Sequence, residues 1–384
     1  MSRRHSPSWL SLFSPTLLAP TVLAALLAGC SQDGPPPEPP LAPEALEAVV
    51  QDPAVPRERL ARAVDDLFAM EDIGQTQALV VMHEGEVVAE RYAPDFDADM
   101  RFSGWSMSKS VTAVLVGMMV ADGRLRLDDA ASVPRWQRPG DPRSAITLRH
   151  LLQMRSGLHH QEGGDPPYRS DDVRLLFLDG RDDTAGWAQA QSLEFEPGET
   201  FAYSTATTAI LSDIATDVIA PDAPAGERQA TMAQFVRDRL AVPLGMESLV
   251  GEYDASGTLM GASHFWATAR DWARFGDFLR NYGSVAGAQI VPRGWIEFMR
   301  RPSPAAPDYG AQLWLNRPSE SERSIVFGGA HGESIFAAVG HLGQYVIVDP
   351  QRRLTIARLG NTPSEDRARL VEELGDIVAL YPSR

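Results

Sequence analysis

Apolar positions recur at two different periods along this chain, and the switches between them outline its organisation. Leu60, Ala63, Val64, Leu67 and Phe68 fall at helical spacing after Pro56, a residue suited to a helix start. Residues 77–82 and 86–91 read as two strands joined at His83-Glu84-Gly85, a tight-turn signal. Val111, Val114, Leu115, Met118 and Met119 then predict a strongly apolar helix, which Asp122-Gly123 ends. From about residue 128 to 250 the pattern is helical, with polar loops and no convincing strand. Strands return at 311–315, 334–339, 344–348 and 354–359, the last two joined by a hairpin-like connection at 349–353. A helix over 364–380 closes the chain. Strands at both ends and helices between predict an α/β (α+β) domain over 57–384. Its sheet lobe takes about 57–128 and 260–384, with an inserted all-helical lobe over about 129–259. The short late connections predict an antiparallel sheet flanked by helices.

The first residues do not belong to this pattern. Arg3, Arg4 and His5 precede a largely apolar stretch, 9–28, that ends in Leu27-Ala28-Gly29-Cys30. This resembles a bacterial lipoprotein signal, which implies removal of 1–29 and a lipid on the sulfur of Cys30. An uncleaved anchor is the weaker reading, because the stretch is short for a span and contains Pro15 and Pro20. Ser31 after the cysteine implies sorting to the outer membrane, facing the periplasm. Cys30 is the chain's only cysteine, so no intrachain disulfide can form. Residues 30–56 carry a run of prolines at 35, 36, 37, 39, 40, 43, 53 and 56 and read as a semi-rigid tether. The net charge of −16 makes nucleic acid a poor partner, because the long-range field repels it.

Composition adds one sharp feature. Lys109 is the only lysine among 35 basic residues, and it stands in Gly104-Trp105-Ser106-Met107-Ser108-Lys109-Ser110 at the head of the apolar helix. Arginine keeps its proton at any pH a protein survives, whereas a buried ammonium can lose one. A serine three residues earlier lies on the same helix face, where an amine can help to activate its hydroxyl. By itself this spacing is weak, since a chance serine at that distance is common.

The context makes it specific. Ser106-Met107-Ser108-Lys109 resembles the first motif of the penicillin-recognising serine hydrolases, in the branch holding class C β-lactamases, family VIII carboxylesterases and 6-aminohexanoate-dimer hydrolases. Asp122 to Asp129, Ile146 to Leu152, Ser156-Gly157-Leu158, Phe195 to Glu199 and Pro243 to Met246 are similar in order and spacing. The resemblance implies a β-lactamase/transpeptidase-like fold, no cofactor and no metal. It implies that Tyr203, in Tyr203-Ser204-Thr205, is a general base with Ser106 as nucleophile and Lys109 beside it. Thr205 departs from the family's usual asparagine. Gly340-His341-Leu342-Gly343-Gln344 stands at the third motif, with His341 in place of lysine, and a neutral imidazole is a poorer partner for a carboxylate. Thr205, His341 and Gly343 are thus the implied substrate-binding residues, Gly343 by allowing close approach. The implied oxyanion hole is the backbone N–H groups of Ser106 and Gln344.

These residues predict a membrane-tethered serine hydrolase that cleaves a small ester or linear amide through an acyl-enzyme. The alternatives are a β-lactamase or D-alanyl-D-alanine carboxypeptidase and, in another class, a catalytically silent envelope-binding lipoprotein. The serine lacks the second glycine of a Gly-x-Ser-x-Gly elbow, which argues against an α/β-hydrolase. His150, His159, His160 and Asp165 fit no metalloprotease spacing, and His159-His160 reads as a solvated or substrate-facing pair. His331-Gly332-Glu333 lies in a glycine-rich loop before a strand, where it is expected to edge the site, without an assigned role.

Overall fold

A computed structural model of the chain describes residues 40–319 and 325–383. The signal segment, Cys30 and the first part of the tether lie outside the described residues. The remainder of the tether departs from expectation. A unit beginning at Leu41 includes it, with a helix at Pro43–Glu47, and Ala45 and Val49 are buried. The amide of Val50 donates to the carbonyl of Val88 at 3.1 Å, so these residues cover the sheet rather than lead away from it. Two of the prolines that suggested a tether, Pro43 and Pro56, stand at helix starts.

Six strands form the main sheet: β1 (Gln75–His83), β2 (Glu86–Tyr92), β3 (Trp314–Leu315), β4 (Phe336–Gly340), β5 (Gln344–Asp349) and β6 (Leu354–Asn361). Their order is β2-β1-β6-β5-β4-β3, and every neighbouring pair is antiparallel. The first and last parts of the chain therefore meet at the centre, where β1 pairs with β6. Helices cover both faces, which is why the strands are apolar on successive residues rather than alternating. Ala78, Val80 and Met82 of β1 face one core with Val111 and Met118 of α2 (Met107–Ala121) and Trp272 and Phe275 of α4 (Ala269–Arg280). Leu79 and Val81 face the other, with Leu60 and Val64 of α1 (Arg57–Ala69) and Leu370 and Leu374 of α5 (Arg367–Leu380).

Residues 107 to 119 of α2 are all buried, as expected for a helix apolar on every side. It runs between the sheet and α3 (Thr205–Ile219) of the helical lobe. Three very short strands, Phe102–Ser103, Val250–Gly251 and Phe265–Ala267, add a small second sheet beside its start. The starts of α2 and α3 and the end of β4 converge on one cavity.

Candidate active site

Ser106 opens α2, and the chain reaches it through a strained turn. Trp105 has φ +45°, a region that bulky residues rarely enter. The turn is held from both sides: Gly104 N–H donates to the Phe265 carbonyl at 2.8 Å, and Ser108 N–H donates to the Trp105 carbonyl at 2.9 Å. The Trp105 ring packs edge-on to His341, with centroids 5.3 Å apart. Ser106 thereby lines a cavity of about 760 Å³ together with Trp105, Glu162, Tyr203, Thr205 and His341.

Lys109, one helical turn further in, is almost wholly buried. Its Nζ donates to Ser106 Oγ at 3.0 Å, to Thr205 Oγ1 at 3.0 Å and to the Ala262 carbonyl at 3.1 Å. Those three bonds use all the protons of an ammonium. Burial nevertheless pushes its pKa down to about 8, against the opposing charges of Glu162 and Asp172. Tyr203 precedes the start of α3, where the Ser204 hydroxyl accepts from Thr207 N–H at 3.1 Å. Its ring stacks on Trp314 at 5.3 Å and meets Tyr309 edge-on, with Lys109 Nζ 5.1 Å from its centroid. Burial raises the phenol's pKa strongly, with the Glu162 charge adding to it and a hydrogen bond with Ser106 opposing it. Tyr203 is therefore a neutral phenol beside the serine. The structure thus brings Ser106, Tyr203 and Thr205 together around the Lys109 amine.

The third-motif residues are placed differently from expectation. The strand β4 ends at Gly340, and Val339, Gly340 and His341 line the cavity. Gly343 and Gln344 do not. At Gly343 (φ +75°) the space a Cβ would occupy is filled by Leu370, Arg358 and Thr362, so this glycine answers to internal packing and a left-handed turn rather than to a substrate. Gln344 already belongs to β5, and its amide nitrogen donates to the carbonyls of His341, Leu342 and Gly360. It staples the turn that carries His341. Burial and the nearby Arg367 push the His341 pKa down, keeping the imidazole neutral.

Several polar residues of the cavity escaped the sequence reading, Glu162 and Arg367 among them. Glu162 accepts from Thr205 N–H at 2.8 Å and from the Thr205 hydroxyl at 2.6 Å, and it meets His160 Nε2 at 2.6 Å. Burial raises its pKa, but the hydrogen bonds and the Lys109 charge prevail and hold it down at about 2. Only its position after Ser156-Gly157-Leu158 in a glycine-rich loop could have drawn notice. Arg367, at the start of α5, also lines the cavity, near His341. The histidine pair splits: His159 is half exposed and pairs with Glu194, whereas the His160 side chain is fully enclosed. His150 caps the helix Leu148–Leu152 with Thr147. His331 packs on Phe327 and Glu333 pairs with Arg317, and neither lines the cavity. Among the described residues no group of three or more His, Cys, Asp or Glu is arranged to hold a metal.

A family model, Beta-lactamase, matches residues 69–379. The chain belongs to the beta-lactamase family. It is 24% identical over 345 residues to a 6-aminohexanoate-dimer hydrolase of Paenarthrobacter ureafaciens, covering 82% of each chain. Among solved structures it is similar to a family VIII carboxylesterase, with TM-score 0.59 and 16% identity over 88% of this chain and 99% of that one. A penicillin-binding protein homologue from Caulobacter crescentus gives TM-score 0.60 at 18% identity, over 86% and 98% of the two chains. This beta-lactamase-family fold, with its antiparallel sheet and helical insertion, is the architecture read from the sequence.

Proposed function

We propose that this member of the beta-lactamase family is a serine hydrolase that cleaves a small ester or linear amide through an acyl-enzyme, held at the outer membrane by a lipid on Cys30. The observation that carries the chemistry is the Ser106–Lys109 hydrogen bond of 3.0 Å at a lysine whose pKa burial lowers to about 8. A fraction of Lys109 is then neutral near physiological pH and can take the Ser106 proton as Oγ bonds to the substrate carbonyl carbon. Tyr203, a neutral phenol, relays a proton to the leaving group as the tetrahedral intermediate collapses. The backbone N–H groups of Ser106 and His341 are the donors for the oxyanion, with His341 replacing Gln344 because it is the residue at the cavity wall. Water then releases the acid.

The substrate class rests on the lining. Trp105, Val173, Phe177, Trp314, Ile325 and Val339 give an apolar wall, and the neutral imidazole of His341 on the lining offers a carboxylate no charge. One observation favours the second reading, a β-lactamase or D-alanyl-D-alanine carboxypeptidase: Arg367 supplies a cation on that wall. An alkyl fluorophosphonate is expected to label the protein once, at the peptide bearing Ser106. In a turnover panel, short p-nitrophenyl esters should outrun nitrocefin and a D-alanyl-D-alanine peptide. Absence of labelling on folded protein would sink the hydrolase reading, and faster nitrocefin turnover would replace the ester by a β-lactam. For the tether, Cys30→Ser is expected to move the protein from the membrane pellet to the soluble fraction with esterase activity unchanged.

A further inference from the structure

The hydrogen bonds behind the serine have a direction, and Glu162 sets it. A carboxylate oxygen can only accept, so the Thr205 hydroxyl spends its single proton on Glu162 Oε1, 2.6 Å away. Thr205 Oγ1 must then accept from Lys109 Nζ at 3.0 Å. The Ala262 carbonyl, also an acceptor only, takes a second N–H from Lys109 at 3.1 Å. A neutral amine has two N–H groups and one lone pair. With both N–H groups committed, the lone pair is left for the third neighbour, Ser106 Oγ at 3.0 Å.

We propose that Glu162 is a positioning residue that, through the Thr205 hydroxyl, fixes the polarity of the hydrogen bonds around Lys109 and so turns its lone pair onto Ser106. This rests on the reading of Ser106 as nucleophile and Lys109 as its base. The surroundings hold the carboxylate for the task. Glu162 lies in the cavity wall beneath a fully enclosed His160, whose Nε2, facing a carboxylate, must be the donor. Its other oxygen accepts the Thr205 N–H at the first position of α3, where the helix dipole favours a negative charge. Thr205 therefore fills the asparagine position with a hydroxyl whose proton is already assigned.

The amide of Glu162→Gln reverses the chain. Its oxygen can still accept from Thr205 N–H and His160, but its nitrogen donates to Thr205 Oγ1. The Thr205 hydroxyl then donates to Lys109 Nζ and caps the lone pair. Charge alone predicts something different. Glu162, with Asp172, opposes the fall of the Lys109 pKa, while Tyr203 and His264 are the other titratable neighbours. Removing only a charge shifts the pH at which activity rises and leaves the alkaline plateau untouched.

The test is the pre-steady-state acylation rate of the full chain with p-nitrophenyl butyrate, followed from pH 6 to 9.5, for wild type, Glu162→Gln, Thr205→Val, the double variant and Thr205→Ser. Each of the first two substitutions is expected to lower the alkaline plateau about 30-fold, in the range for losing a hydrogen bond to a charged group. In the Thr205→Val background, Glu162→Gln should change it less than about threefold, because the hydroxyl it acts through is gone. Thr205→Ser should stay near wild type. The proposal is overturned if Glu162→Gln only moves the inflection, or if its cost is the same in both backgrounds. Should Glu162→Gln fail to fold, equal plateaus for Thr205→Val and Thr205→Ser overturn it as well. A burst that survives Ser106→Ala sinks the nucleophile assignment itself, a result separate from any of these.

Discussion

Lys109→Met will lower kcat/KM for a p-nitrophenyl ester by about 1,000-fold, within the range for removing a general base, and will make the protein more stable at neutral pH. The two effects have one origin. Burial lowers the pKa of Lys109 from 10.5 to about 8, which means that keeping this ammonium inside costs about 3 kcal/mol. The sign follows from the two states. Below pH 8 the amine is charged both folded and unfolded, and the folded protein bears the whole burial cost. Between about 8 and 10.5 the folded state loses the proton first and the cost fades. Methionine has a similar length and no charge, so its stability gain should be greatest below pH 8 and vanish above about 10.5. The loss of donors to Thr205 Oγ1 and the Ala262 carbonyl reduces the gain. Urea midpoints at pH 7 and 10.5 check this, alongside a wild-type pH profile of kcat/KM that rises through an inflection near 8 to an alkaline plateau. A variant that is less stable at pH 7, or that keeps a tenth of its activity, removes Lys109 from the role of strained base. Arginine makes a poorer probe, because it would keep a permanent charge at a site only 1% exposed.

The same residue shows why part of the site was legible in the sequence. Serine and lysine three apart on an apolar helix lie on one face, so their contact follows from local geometry. The late strands were legible for a similar reason: a sheet covered on both faces needs unbroken apolar runs, and β5 and β6 begin at the residues the pattern marked. Glu162 was not legible. Its partner Thr205 is 43 positions away, and an acidic residue in a glycine-rich polar loop looks solvated until the fold closes over it. Gln344, read as an oxyanion donor, lies away from the cavity lining for a conformational reason. Leu342 at φ +59° and Gly343 at +75° turn the chain between β4 and β5, so Gln344 starts the next strand instead of facing the cavity. Residues 41–56 failed in the opposite direction. Their prolines suggested extension, while Ala45 and Val49, too sparse to form a pattern, bury completely or nearly so on the sheet.

Gly340→Ala will lower kcat by about 100-fold, the scale of weakening one oxyanion-hole donor, with KM little changed. The backbone of Gly340 is extended (φ −119°, ψ 167°), a conformation that alanine accepts without strain. The penalty is contact alone. A Cβ there would lie 2.4 Å from the Gly104 carbonyl oxygen and 3.0 Å from the Gln344 Cβ. Neither neighbour can swing aside as a flexible side chain would, because one is backbone and the other is pinned in β5 by three hydrogen bonds. The end of β4 must therefore move away from the Gly104-Trp105-Ser106 turn. That displacement separates the Ser106 and His341 N–H groups, the two donors assigned to the oxyanion. Of the apolar wall only Val339 moves with the strand end, while Val173, Phe177, Trp314 and Ile325 lie elsewhere, so the loss should fall mainly on kcat. Gly294→Ala serves as control, since a Cβ there meets nothing within 4 Å and the residue lies in the helix Arg293–Met299. Overpacking at Gly340 should also cost about 1–3 kcal/mol of stability, read from the urea midpoint. A variant with unchanged kcat, despite that loss of stability, would show that the oxyanion is held elsewhere than between α2 and the end of β4.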